Sequence, residues 1–157
     1  MRRLAAALAA ALLAAAAAAA PADDEAEELR LDPEYAAGKS AIEAKDWAAA
    51  IRLFSSASLR DTRNPDIQNY LGYAYRNSGD LALAFRHYHR ALQLNPRHRG
   101  AHEYLGEAYL KAGNLAKAEE HLALLGRICL IPCEEQAMLA AKIADFRSQG
   151  GSKTREK

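Results

Sequence analysis

Residues 69–96 read NYLGYAYRNSGDLALAFRHYHRALQLNP, and the same pattern returns 34 positions later. Leu71 falls on Leu105, Gly72 on Gly106, Ala74 on Ala108 and Tyr75 on Tyr109. Gly79 then meets Gly113, Asp80 meets Asn114, Leu81 meets Leu115 and Ala84 meets Ala118. Self-similarity at this period marks stacked helix–turn–helix units, each too small to bury its apolar face alone. Its small residues let two helices approach closely and its large ones fill the remaining gaps. Local signals agree with the period. Asn64-Pro65-Asp66 opens a helix, because proline is pre-organised for the first turn. Leu71, Ala74, Tyr75 and Ser78 share one helical face. Ser78-Gly79-Asp80 supplies a glycine that ends one helix and an aspartate that caps the next. Pro96 cannot continue the second helix and closes the unit.

Residues 31–64 fit the same period with weaker identity. Gly38 aligns with Gly72 and Gly106, Asp46-Trp47 with Asp80-Leu81, Ala50 with Ala84, and Phe54 with Tyr88 and Leu122. Lys45 stands where the later units have Gly79 and Gly113, and Ala41 where they have Tyr75 and Tyr109. Terminal repeats are often atypical in this way. The pattern predicts helix pairs over 33–45 and 47–60, 66–78 and 81–94, and 99–112 and 115–128. Pro132 then breaks the chain, and a seventh helix is expected over 133–147, its apolar stripe formed by Leu139, Ile143 and Phe146. Repeat arrays need such a terminal cap. The polar stretches 23–30 and 148–157 have little to bury and read as disordered.

The pattern of Leu71, Gly72, Ala74, Tyr75, Gly79 and Ala84, doubled one period later, resembles the tetratricopeptide repeat family. The resemblance implies an all-α, right-handed solenoid of three repeats (31–64, 65–98 and 99–132) plus the capping helix. It also implies non-enzymatic binding of a protein or peptide partner on the concave surface, which the first helix of each repeat lines. The groove-facing positions would be Tyr35, Lys39 and Ile42 in the first repeat, and Asp66, Asn69, Tyr73 and Arg76 in the second. The third would add Glu103, Glu107, Leu110 and Lys111. Asn69, Tyr73 and Arg76 lie at i, i+4 and i+7 and form the best candidate cluster; a plain solvated helix face is the competing reading. The family's carboxylate clamp for chaperone tails is not matched, since Tyr35 and Tyr70 occupy places where Lys and Asn would be needed.

Composition narrows the setting. Met1-Arg2-Arg3 followed by an uncharged Ala/Leu run to Ala20, then Ala20-Pro21-Ala22 and acidic Asp23-Asp24-Glu25, is the pattern of a secretory signal peptide over residues 1–22. An uncleaved anchor is the rival, although the run is short for the ~20 apolar residues of a span. Cleavage would leave 19 basic and 20 acidic side chains, so neither nucleic acid nor an anionic membrane is indicated as a partner. The expected compartment is the periplasm or the exterior, with no stable membrane insertion after cleavage. A small exported bacterial member of the family, acting as an adaptor or assembly factor of the cell envelope, is the resulting expectation.

Cys129 and Cys133 are the only cysteines. In an oxidising compartment this close even pair favours a disulfide tying the cap to the last repeat, with thiol-redox chemistry and metal ligation as alternatives. His98 and His102 have the i, i+4 spacing of metal ligands, but surface or packing roles are the simpler reading. No cofactor and no metal site is assigned. No nucleophile elbow, glycine-rich phosphate loop or His-Glu-x-x-His motif is present, so no enzyme activity is expected. The rival function is a periplasmic metal or thiol-redox accessory protein using Cys129, Cys133 and nearby histidines.

Overall fold

A computed structural model describes residues 32–153, with side chains through residue 150. The leader over 1–22, the segment 23–30 and the last four residues lie outside that span. Among the described residues there are seven helices and no strand: α1 Pro33–Glu43, α2 Trp47–Arg60, α3 Pro65–Ser78, α4 Leu81–Leu94, α5 Arg99–Lys111, α6 Leu115–Ile128 and α7 Glu134–Lys153. No helix among them is long and apolar enough to cross a membrane.

The helix starts follow the capping chemistry of the sequence. Asp32, Asp46, Asn64, Asp80 and Asn114 each accept a hydrogen bond from a backbone N–H of the turn they open, satisfying donors that a helix cannot pair internally. Asp32 also receives the Arg60 guanidinium from the far end of α2, at 2.8 Å, which clasps the first hairpin shut. The turns inside the second and third repeats pass through Gly79 at φ 100° and Gly113 at φ 78°. The first repeat makes the same turn with Lys45 at φ 57°, a conformation that costs a residue with a Cβ about 1–2 kcal/mol.

Each hairpin closes around a glycine. A Cβ on Gly38 would lie 2.9 Å from the Phe54 ring, and one on Gly72 would lie 2.6 Å from the Tyr88 ring. Both rings are fully buried. In the third repeat Leu122 is too small to repeat this contact, and Gly106 is covered instead by Leu139 of α7, 2.6 Å from where its Cβ would stand. The hairpins stack through aromatic neighbours: Phe54 lies flat on Tyr70, with ring centroids 5.0 Å apart, and Tyr88 meets Tyr104 at 6.4 Å. The first helices of the second and third repeats, α3 and α5, also touch, and the cap α7 lies on α5. That direct packing puts the first-helix row on the inside of the curve.

The capping helix departs from expectation in length. It continues to Lys153 instead of stopping at 147, so residues expected to be disordered extend it by more than a turn. Residues 148–150 of that extension are exposed, and the helix is held just before and beside them. Phe146 packs on the core of Leu110, Leu125 and Leu139, Gln149 faces α5 and α3, and Arg147 pairs with Glu119 at 2.6 Å.

Two substitutions test this packing. Gly72→Ala gains about 1 kcal/mol of helix propensity but overpacks the Tyr88 ring by typically 1–3 kcal/mol, so its melting temperature falls. Lys45→Gly releases the left-handed strain and, after glycine's entropic cost, is more stable by roughly 0.5–1 kcal/mol. Thermal melts followed by circular dichroism distinguish the two directions.

Candidate functional site on the concave face

The inner row carries an aromatic ladder with a cation inside it. Trp47 meets Tyr73 edge-on at 6.1 Å, and Tyr73 meets Tyr104 at 4.9 Å. The Arg76 guanidinium lies over both tyrosine rings, 5.2 Å and 5.4 Å from their centroids, and is only 7% exposed. Its Nη1 is hydrogen-bonded to Glu107 of α5, and Lys111 donates its ammonium to the Arg76 carbonyl at 2.9 Å. Arg76 thus ties two repeats together, and its charge is already matched. Truncating it would strand the Glu107 carboxylate, a loss of about 3–5 kcal/mol for a buried pair.

The other expected groove residues separate into four groups. Tyr35 and Ile42 lean into the core of the first repeat, Tyr35 touching the edges of Phe54 and Tyr70. Lys39 is exposed on α1. Asn69 is 5% exposed with its carbonyl oxygen unpartnered, and Asp66 accepts a hydrogen bond from His98 Nε2 at 2.9 Å. Glu107, Leu110 and Lys111 come together with Arg76 around an open cavity of about 390 Å³. Its opposite wall is α7, through Lys142, Asp145, Phe146 and Gln149. Sequence reasoning treated α7 as a cap only and missed this wall. The i, i+3, i+4, i+7 spacing of the four residues was a visible signal of one shared face.

Glu103 lies buried on the same row. Burial first, and then the nearby carboxylates of Glu107 and Glu135, push its pKa up to about 7. Behind it the third repeat holds two histidines in contact. Pro96 carbonyl can only accept, so His102 Nε2–H donates to it at 3.0 Å, and the neutral ring leaves Nδ1 as an acceptor. His121 Nδ1–H then donates to His102 Nδ1 at 2.9 Å. One repeat earlier, at equivalent positions, His87 Nδ1–H donates to Gln68 at 2.9 Å. Tyr75 stacks on His87 and Tyr109 on His121 in the same way. Burial, followed by His102 and His89, lowers the His121 pKa to about 4; burial lowers that of His102 as well.

His98 does not join His102. It caps α5, its Nδ1 accepting from the Ala101 N–H at 3.1 Å, while its Nε2–H goes to Asp66. Among the described residues no three His, Cys, Asp or Glu side chains are placed to hold a metal ion. The side chains of Cys129 and Cys133 meet sulfur to sulfur, with Cα atoms 6.0 Å apart, at the junction of α6 and α7.

Residues 35–96 and residues 75–128 each match a tetratricopeptide repeat family profile. No curated protein matches the chain. Among solved structures, the type III secretion translocator chaperone SycD of Yersinia enterocolitica is similar, with a TM-score of 0.68 and 17% identity over 80% of this chain and 88% of that one. PcrH, solved with the chaperone binding region of PopD, has a TM-score of 0.64 and 19% identity, covering 83% and 95% of the two chains. The Sgt2 TPR domain of Aspergillus fumigatus has a TM-score of 0.66 and 19% identity, covering 83% and 82%. At these identities the likeness carries the fold.

Glu103 and the buried histidines oppose one another in pH. An unfolded histidine takes up a proton below about 6.5, whereas folded His121 refuses one until about 4, so its contribution is lost as pH falls through that interval. An unfolded glutamate ionises near 4.5 and folded Glu103 near 7, so its contribution is lost as pH rises from 4.5 to 7. Burial lowers the pKa of His87 and His102 in the same direction, so the histidines together outweigh Glu103 and the wild-type melting temperature falls between pH 7 and pH 5. Glu103→Gln melts higher than wild type at pH 7.5 and loses stability steeply on acidification, as thermal melts across that range will show.

Proposed function

Because this chain belongs to the tetratricopeptide repeat family, we propose that it is a non-enzymatic interaction scaffold or assembly factor of the cell envelope. It binds a peptide or protein partner along its inner, first-helix face. The observation that carries this reading is the cavity between α3, α5 and α7. It is an open space of ligand-pocket size on the inside of the curve, with ammonium, amide and carboxylate groups around an apolar strip. A groove of that mixed chemistry fixes a peptide by side-chain hydrogen bonds while burying its apolar positions. The similar fold of PcrH accommodates a segment of PopD, which supports the same use here.

The rest of the proposal concerns compartment. The leader pattern of residues 1–22 directs export, and the mature chain begins near Asp23. In the oxidising space outside the cytoplasm Cys129 and Cys133 form a disulfide that pins the start of α7 to the end of α6. Their loop is short, so the bond adds modest entropic stabilisation to the whole domain. Its main effect is local, in holding one wall of the groove in place.

Mass spectrometry of the protein isolated from its native host should show an amino terminus near Asp23 and a gain of two hydrogens on reduction. A photo-crosslinking residue at Gln149, on the cavity rim, should capture a partner that one at Arg90, on the outward second-helix row, does not. Equal capture from both positions, or from Arg90 alone, would move the binding surface off the inner face.

A further inference from the structure

The charges around the cavity do not cancel. Arg76 and Glu107 neutralise each other within the wall. Lys111 spends one hydrogen bond on the carbonyl of Arg76, a neutral partner that leaves its positive charge uncompensated. Lys142 stands across the opening on α7, exposed, and among the described residues it pairs with no carboxylate. Asp145 supplies one negative charge at the same rim. The balance is two ammonium groups against one carboxylate, a surplus of one positive charge. The same cavity is lined by Leu110, 8% exposed, and half-buried Phe146.

We propose that this cavity recognises one acidic side chain of the partner peptide together with an adjacent aromatic or large aliphatic side chain. The carboxylate is gripped between Lys111 and Lys142, and the apolar neighbour lies on Leu110 and Phe146. This rests on the reading that the inner face binds peptide, and it makes α7 a selecting element as well as a cap. Charge-assisted hydrogen bonds to the carboxylate supply orientation, and the apolar strip supplies area. Asp145 sets the limit at one carboxylate, since a second would face it without a cation of its own.

The test is an NMR titration of 15N-labelled protein with blocked dipeptides. Acetyl-Asp-Phe-amide should shift amides around Lys111, Lys142 and Phe146. Acetyl-Asn-Phe-amide should bind there about tenfold more weakly, the scale of one lost charge-assisted contact, and acetyl-Lys-Phe-amide should not bind. Lys142→Gln, at an exposed position, should cause a similar loss, whereas Arg90→Gln should leave binding unchanged. Equal binding of the Asp, Asn and Lys peptides at the cavity overturns the acidic preference, and silence towards all three overturns the site. Shifts centred instead on Lys39 and Tyr73 overturn this cavity while the inner-face reading stands. Shifts confined to the second-helix row overturn both.

Discussion

The contact on which the architecture depends is a missing side chain. At Gly38, Gly72 and Gly106 the backbone of a first helix comes so close to a large side chain that no Cβ would fit. Dispersion contacts decline steeply with small gaps, so a ring seated directly on backbone gives the first two hairpins a fixed spacing rather than a loose hydrophobic association. Everything downstream inherits that spacing. Phe54 can lie on Tyr70, and Tyr88 can meet Tyr104. The first helices are then close enough for Arg76 to reach Glu107 across the repeat boundary.

The third repeat obeys the same constraint by borrowing. Its own Leu122 sits where Phe54 and Tyr88 sit in the earlier units, yet Leu139 from α7 covers Gly106. The capping helix is therefore an internal part of the last hairpin's packing, joined further by Arg147 to Glu119 and by Arg99 to Glu135. This is why one element both closes the core and lines the cavity. Residues 139 and 143 point into the core, and residues 142, 145 and 149 lie toward the groove.

Most of the architecture was legible in the 34-residue period, because glycine, proline and capping residues state where helices stop and start without reference to anything distant. Six of seven helices begin and end within two residues of their expected positions. The seventh ran long, carrying its helix through exposed residues 148–150 beyond Phe146, where its apolar stripe ends. The site was less legible because it depends on which side chains meet across elements. Facing direction put Glu107 and Lys111 on one row, and both line the cavity, but it could not reveal that Arg76 is consumed by Glu107 and two tyrosines, or that Tyr35 turns into the core. The His102–His121 contact was readable only in retrospect, as the equivalent of Gln68 and His87 one period earlier.

The borrowed leucine also bears on how such a chain can lengthen over evolutionary time. Arrays of this kind ordinarily grow by tandem duplication, each new hairpin stacking on the open flank of the last. Here that flank is occupied by a helix whose Leu139 completes the preceding unit, so a hairpin inserted after residue 132 would have to bring its own substitute for that side chain. It would also carry the far wall of the groove away with the displaced helix. Growth at this end is thus coupled to loss of the present cavity, whereas insertion ahead of α1 leaves it intact.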